Sequence, residues 1–173
     1  MTTIGPEWAL LVLLAYLPVP AAMRRRATAS PRRLALMSGL FLYATAVVAV
    51  TVFPIRLYPG QAQWADRHWT LVFQWIPFDV PPVSFVLNVI MFMPLGVLLP
   101  LLWPATGSVR RLGAWALALS CLIEGTQFVG WVTLGNFRTV DVNDLISNTA
   151  GALLGLLVLR RARAGQDAAQ ARM

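Results

Sequence analysis

Five long apolar runs separated by short polar stretches set the rhythm of this chain, at residues 4–22, 34–55, 83–103, 112–134 and 140–159. Each reaches the roughly 17–25 residues that a helix needs to cross a bilayer. The second run is wholly uncharged, and the third carries Asn88 as its one strongly polar group. This pattern predicts an all-α fold: a polytopic membrane helical bundle of about five transmembrane helices, with a Trp-rich outer loop after the second. Residues 1–159 form the transmembrane domain. Residues 160–173 form a polar, Ala-rich tail, expected to fray.

Composition supports that reading. Hydrophobic residues make up 58% of the chain and charged residues 12%, where soluble chains average about 25% charged. The formal charge of +7 raises the question of nucleic acid. The placing of the charge answers it. All fourteen basic residues are arginine, and eleven follow the first, third or fifth run: Arg24, Arg25, Arg26, Arg32, Arg33, Arg110, Arg111, Arg160, Arg161, Arg163 and Arg172. Five crossings put those eleven on one face and leave Arg56, Arg67 and Arg138 on the other. By the positive-inside bias the N-terminus is outside and the C-terminus cytoplasmic. The expected partners of the basic loops are membrane lipids, not nucleic acid.

The first run lacks a positive n-region, and its arginines follow it, so an uncleaved anchor is expected rather than a signal peptide. Glu7, Pro6, Pro18 and Pro20 make it the least regular of the five. A single cysteine, Cys121, excludes an intramolecular disulfide and argues against a cysteine zinc site. It reads as a small helix-packing residue, and the lone His68 as a solvated loop residue. No cofactor or metal is expected.

The polar residues inside the apolar runs carry the chemistry. In the outer loop, Trp64, Trp69 and Trp75 suit the headgroup zone, and "LVFQWIPF" reads as a short interfacial or re-entrant element closed by Pro77. Asn88 falls about one turn below the outer surface. Pro94 and Gly96 sit near mid-membrane and read as a kink and a close helix approach. Ser120, Glu124 and Gln127, spaced by four and three, share one helix face. An acid at that depth costs at least a few kcal/mol if it faces lipid unpaired. Glu124 must therefore face the bundle.

The stretch "RTVDVNDLISNTAGALLG", residues 138–155, brings charge up to the last apolar run. The fifteen uncharged residues from 145 to 159 span about 22 Å, against roughly 30 Å of hydrocarbon. Spanning thus draws Asp144 into the outer interface. Asp141, Asp144, Asn148, Gly151 and Gly155 recur at spacings of three and four, which predicts one stripe with carboxylates above a small-residue groove. Part of this is helix capping. Asn88, Glu124, Gln127, Arg138, Asp141, Asp144 and Asn148 all fall in the outer half of the membrane or just above it. Three acids and one arginine leave charge to be met by protonation, water or a ligand.

"FVLNVIMFMPLGVLLP", "IEGTQF" and "FRTVDVNDLISNTAGALLG" resemble, in order and spacing, the successive motifs of the VanZ-like family of bacterial membrane proteins. The resemblance covers residues 75–159 and points to Asn88, Pro94, Gly96, Glu124, Gln127, Arg138, Asp141, Asp144, Asn148 and Gly151 as signature positions. "QWIPF" is similar to the family's "NxIPF", with Gln74 where asparagine is usual. The family takes its name from a protein conferring low-level resistance to the glycopeptide teicoplanin, which implies a place in the cell envelope.

Two functions follow as expectations. In the first, the ligand-binding residues Asn88, Glu124, Gln127, Arg138, Asp141, Asp144 and Asn148 take an amphipathic ligand, such as a lipid-linked cell-wall intermediate or a lipid-tailed glycopeptide, with its tail along the Gly151/Gly155 groove. In the second, the chain is an intramembrane enzyme with Glu124 or Asp144 as general acid or base and Ser120 or Thr126 near Glu124 as the hydroxyl. No serine–histidine or metal motif accompanies them, so no catalytic residue is assigned. A divalent cation on Glu124, Asp141 and Asp144 is a lesser alternative.

Overall fold

Helices dominate the computed structural model, which describes residues 2–16, 18–25, 30–57, 72–134 and 139–172. In chain order the elements are β1 (Thr2–Ile4), α1 (Trp8–Tyr16), α2 (Pro18–Arg25), α3 (Pro31–Val52), β2 (Ile55–Leu57), β3 (Phe73–Gln74), α4 (Pro82–Leu102), α5 (Val109–Leu134), β4 (Val140–Asp141) and α6 (Val142–Gln170), with a 3-10 turn at Pro104–Thr106. Four of them, α3, α4, α5 and α6, are long and apolar enough to cross a membrane. This is an all-α, multi-pass membrane protein.

Helix limits follow from local chemistry. Ser30 caps α3, its hydroxyl accepting from the Arg33 amide at 3.3 Å, and Pro31 supplies a preset first residue. Pro54 then ends α3, since the residue before a proline is pushed out of helical space. Pro82 opens α4, and Pro94 and Pro100 lie within it. Ser108 caps α5 through the Arg111 amide at 3.3 Å. At α6 the cap is Asp141, whose carboxylate accepts from the Asn143 amide at 2.8 Å.

Three sequence expectations change. The first apolar run is two short helices, α1 and α2, on either side of Leu17, which lies outside the described residues. The polar tail stays helical to Gln170, because α6 at 29 residues simply continues past the hydrocarbon. Cys121 is exposed on α5 rather than packed. Of the outer loop, Trp64, His68 and Trp69 lie outside the described residues.

The chain divides into two compact units. The first comprises Met1–Asp79 and Cys121–Asn143. Within it, β1 pairs antiparallel with β2, Ile4 opposite Ile55, so the chain returns at Leu57 to the level at which it began. Tyr16 stacks on Phe41 at 3.8 Å, holding the end of α1 to α3. The strand β3 pairs in parallel with β4, Gln74 opposite Asp141. Phe73 packs on Phe128 of α5 at 5.4 Å and on Trp75 at 4.8 Å. "LVFQWIPF" is therefore a strand and a turn at its described end.

The second unit comprises Val80–Ser120 and Asp144–Met173. Its core is Phe92, Leu95 and Gly96 from α4, Leu112, Ala116 and Ser120 from α5, and Asn148, Ala152 and Leu156 from α6. Other large aliphatic side chains, among them Val86, Leu87, Ile90, Leu154 and Leu157, point outward. Polar Ser120 and Asn148 inside with so many aliphatic residues outside suits lipid, since lipid tails solvate apolar side chains as well as a core does. Helices α4 and α6 meet backbone to backbone. A Cβ added at Gly96 would strike the Ala152 carbonyl, at Gly151 that of Val89, and at Gly155 that of Met93. The expected groove for a ligand tail at Gly151 and Gly155 is thus filled by α4 itself.

Candidate functional site

Two polar networks occupy the ends of the long helices, one in each unit. In the first unit the network centres on Asn143, a fully buried residue. Its Nδ2 donates to the Asp141 carboxylate at 2.8 Å and to the Ile76 carbonyl at 3.1 Å, and its Oδ1 accepts from the Phe78 amide at 2.5 Å. The turn between β3 and α4 is thereby fixed to the start of α6. Gln74 closes the same turn, its Nε2 donating to the carbonyl and carboxylate of Asp79, each at 3.1 Å. Phe78 adopts φ 65°, a left-handed conformation unusual for a bulky side chain. Trp75, Ile76 and Phe78 are exposed.

Glu124 joins this network from α5. It is only 3% exposed, and its Oε2 accepts from the Asp141 amide at 2.9 Å. A carboxylate there satisfies a backbone donor that the chain leaves free as it passes from β4 into α6. Gln127, one turn further along α5, turns to α3 instead, donating to the Thr51 carbonyl at 3.1 Å. That carbonyl belongs to the last turn of α3, where the helix has no acceptor partner of its own. An open cavity of about 170 Å³ lies beside Gln127, lined also by Val52, Ile55, Gly130 and Thr133.

In the second unit the network centres on Asp144, in the first turn of α6. Asn88 of α4 donates from Nδ2 to Asp144 Oδ1 at 2.6 Å. The Ser120 hydroxyl of α5 donates to the Asp144 carbonyl at 3.3 Å and accepts from Asn148 Nδ2 at 2.9 Å. Ser147 donates to the same carbonyl at 3.3 Å. Three helices are thus joined through one turn of α6. One amide oxygen is left over: Asn148 Oδ1 is buried and has no hydrogen-bond partner among the described residues.

Of the seven candidate residues, Asn88, Asp144 and Asn148 fall in the second network, Glu124 and Asp141 in the first, and Gln127 binds α3. Arg138 lies outside the described residues. Asp141 precedes α6 as its cap, so the expected stripe starts at Asp144. Asn143 lies off the 3/4 spacing of the other candidates; its signal in the sequence is an amide two residues after a capping aspartate. Among the described residues no three His, Cys, Asp or Glu side chains gather to hold a metal ion.

The model of the VanZ/LLP1 family matches residues 40–163, which includes both networks. No curated protein and no solved structure matches the chain.

Proposed function

The chain belongs to the VanZ/LLP1 family, and from that premise we propose that the Asp144 network binds an amphipathic, lipid-linked ligand in the outer leaflet of a bacterial envelope. The observation that carries this reading is Asn148. Its amide oxygen is buried with no donor among the described residues, in the same network in which Asn88 holds the Asp144 carboxylate. Leaving such an oxygen unmet costs about 1–3 kcal/mol. A ligand hydroxyl or ammonium would meet it, and a cationic or hydroxylated headgroup would suit Asp144. Polyprenyl- or glycosyl-linked cell-wall intermediates, and lipid-tailed glycopeptides such as teicoplanin, have that chemistry. The tail would lie on the outward aliphatic surface of α4 or α6, since the glycine groove is occupied.

The enzyme reading gains nothing from these contacts. The Ser120 proton is directed at the Asp144 carbonyl, and that of Thr126 at the Ile123 carbonyl at 2.7 Å. Neither hydroxyl is poised against a base.

The test is the identity of co-purified lipid. Wild type, Asn148→Leu and Asp144→Asn are purified in parallel, and their bound lipids are identified by mass spectrometry. A polyprenyl- or glycosyl-linked species enriched in wild type and lost from both variants, with ordinary phospholipid unchanged, is the expected result. The same lipid profile in all three would overturn the proposal. Expression in a teicoplanin-sensitive host, compared with Asp144→Asn, tests the link to resistance.

A further inference from the structure

The second unit carries another polar feature at the opposite end of α6. Between α4 and α5 the chain turns through "WPATGS", residues 103–108. Two guanidinium groups converge on it. Arg111 Nη1 donates to the Ala105 carbonyl at 3.1 Å, and Arg160 Nη2 donates to the Gly107 carbonyl at 2.8 Å. The acceptors are two residues apart, so one loop holds two cations from different helices.

Carbonyl oxygens position these groups without neutralising them. Residues 80–120 contain no acid, and the acids of 144–173 are Asp144, at the far end of α6, and Asp167, about two turns beyond Arg160. Each guanidinium has five N–H donors and spends one on the loop in these bonds, leaving others for an anion. The N-terminus of α5, with its positive dipole end, opens from the same loop. Arg110 and Arg161 are exposed next to the pair. Trp103, at the end of α4, is 46% exposed, and tryptophan at the end of a membrane helix marks headgroup depth. At that depth the abundant anion is lipid phosphate.

We propose that Arg111 and Arg160, held on the 103–108 loop, form a binding site for the phosphate of an anionic phospholipid headgroup. The site is built from the fold rather than from net charge alone, because two carbonyls of one loop each hold one guanidinium group. A planar fork matches phosphate oxygens in a way an ammonium does not.

The experiment titrates the purified full-length protein in detergent with phosphatidylglycerol or phosphatidylcholine and counts bound lipid by native mass spectrometry. Wild type is expected to prefer phosphatidylglycerol, and Arg111→Gln/Arg160→Gln to lose about tenfold of that affinity or more. The charge-matched pair Arg163→Gln/Arg172→Gln is expected to lose less than about twofold, since neither residue touches the loop. Equal loss in both pairs would overturn the proposal, as would absence of a preference for phosphatidylglycerol. Inorganic phosphate that displaces the lipid at equal concentration would make free phosphate the ligand and overturn the lipid assignment. Should the glutamine pair fail to fold, Arg111→Lys/Arg160→Lys keeps the charge without the fork. Its affinity is expected to drop several-fold, and affinity equal to wild type would refute the built site.

Discussion

Asn88 and Asp144, 56 positions apart in sequence, meet through a 2.6 Å hydrogen bond from amide to carboxylate. Hydrogen bonds to charged groups are worth about 1.5–3 kcal/mol. Asn88→Ala, Asp144→Ala and the double variant, unfolded in mixed micelles, should therefore show a coupling energy of at least about 1 kcal/mol. Additive losses would mean that the two side chains do not interact in the folded protein.

The contact of α4 with α6 through glycine predicts a size limit. Gly155→Ala drives a methyl into the Met93 carbonyl, and Gly151→Ala into that of Val89. Neither backbone can yield without separating the helices, so each should cost about 1–3 kcal/mol, the usual price of overpacking. Gly165→Ala, with open space around it, should be neutral or raise stability by up to about 1 kcal/mol. Thermal melts of the purified variants decide it, and equal melting temperatures would contradict the packing.

Asn143→Ala removes the amide that holds the Ile76–Phe78 turn, taking away the partners of the Ile76 carbonyl and the Phe78 amide. These bonds are part-buried, and a loss of about 2–4 kcal/mol is expected for the several broken. Amide exchange across residues 73–79 should accelerate. Asn143→Asp should be at least as damaging at neutral pH, because it sets a carboxylate oxygen against Asp141 Oδ1 and the Ile76 carbonyl. Unchanged exchange in both variants would remove Asn143 from this role.

Glu124 accepts from the Asp141 amide, which glutamine can also satisfy through its amide oxygen. Glu124→Gln should insert and fold with little loss, whereas Glu124→Leu leaves the part-buried Asp141 N–H without this acceptor and costs about 1–3 kcal/mol. Thermal melts in detergent check this, and a Glu124→Leu melt equal to wild type would remove the Glu124–Asp141 bond from the folding energetics.

The strand pairings constrain topology. Antiparallel β1 and β2 bring Ile4 and Ile55 to one level, and parallel β3 and β4 do the same for Gln74 and Asp141. Two crossings in each interval, α1 and α2 together with α3, and α4 with α5, would fit these pairings. With the eleven-to-three arginine split, reporter fusions after Ala29, Gly107 and Gly165 should read cytoplasmic, and those after Gln63 and Gly135 external. A cytoplasmic signal at Gln63 or Gly135 would refute the arrangement.

The helical membrane class was determined by the sequence, because length and hydropathy alone decide whether a segment can satisfy its backbone in lipid. The inward turn of Glu124 followed from the same energetics, since an ionisable group facing hydrocarbon is costly wherever it lies in a fold. Partners were another matter. Periodicity places a residue on a face but does not say which helix meets that face, so Gln127 was grouped with the acids although it caps α3, and Asn143 was passed over. A stripe of glycines reads equally as an open groove or as a seam, and only the approach of the α4 backbone to Gly151 and Gly155 decided for the seam. The arginines show both sides of this division. Their number and spacing predict a basic membrane face, but bringing Arg111 and Arg160, 49 positions apart, onto a single loop required two helices to pack at a common level.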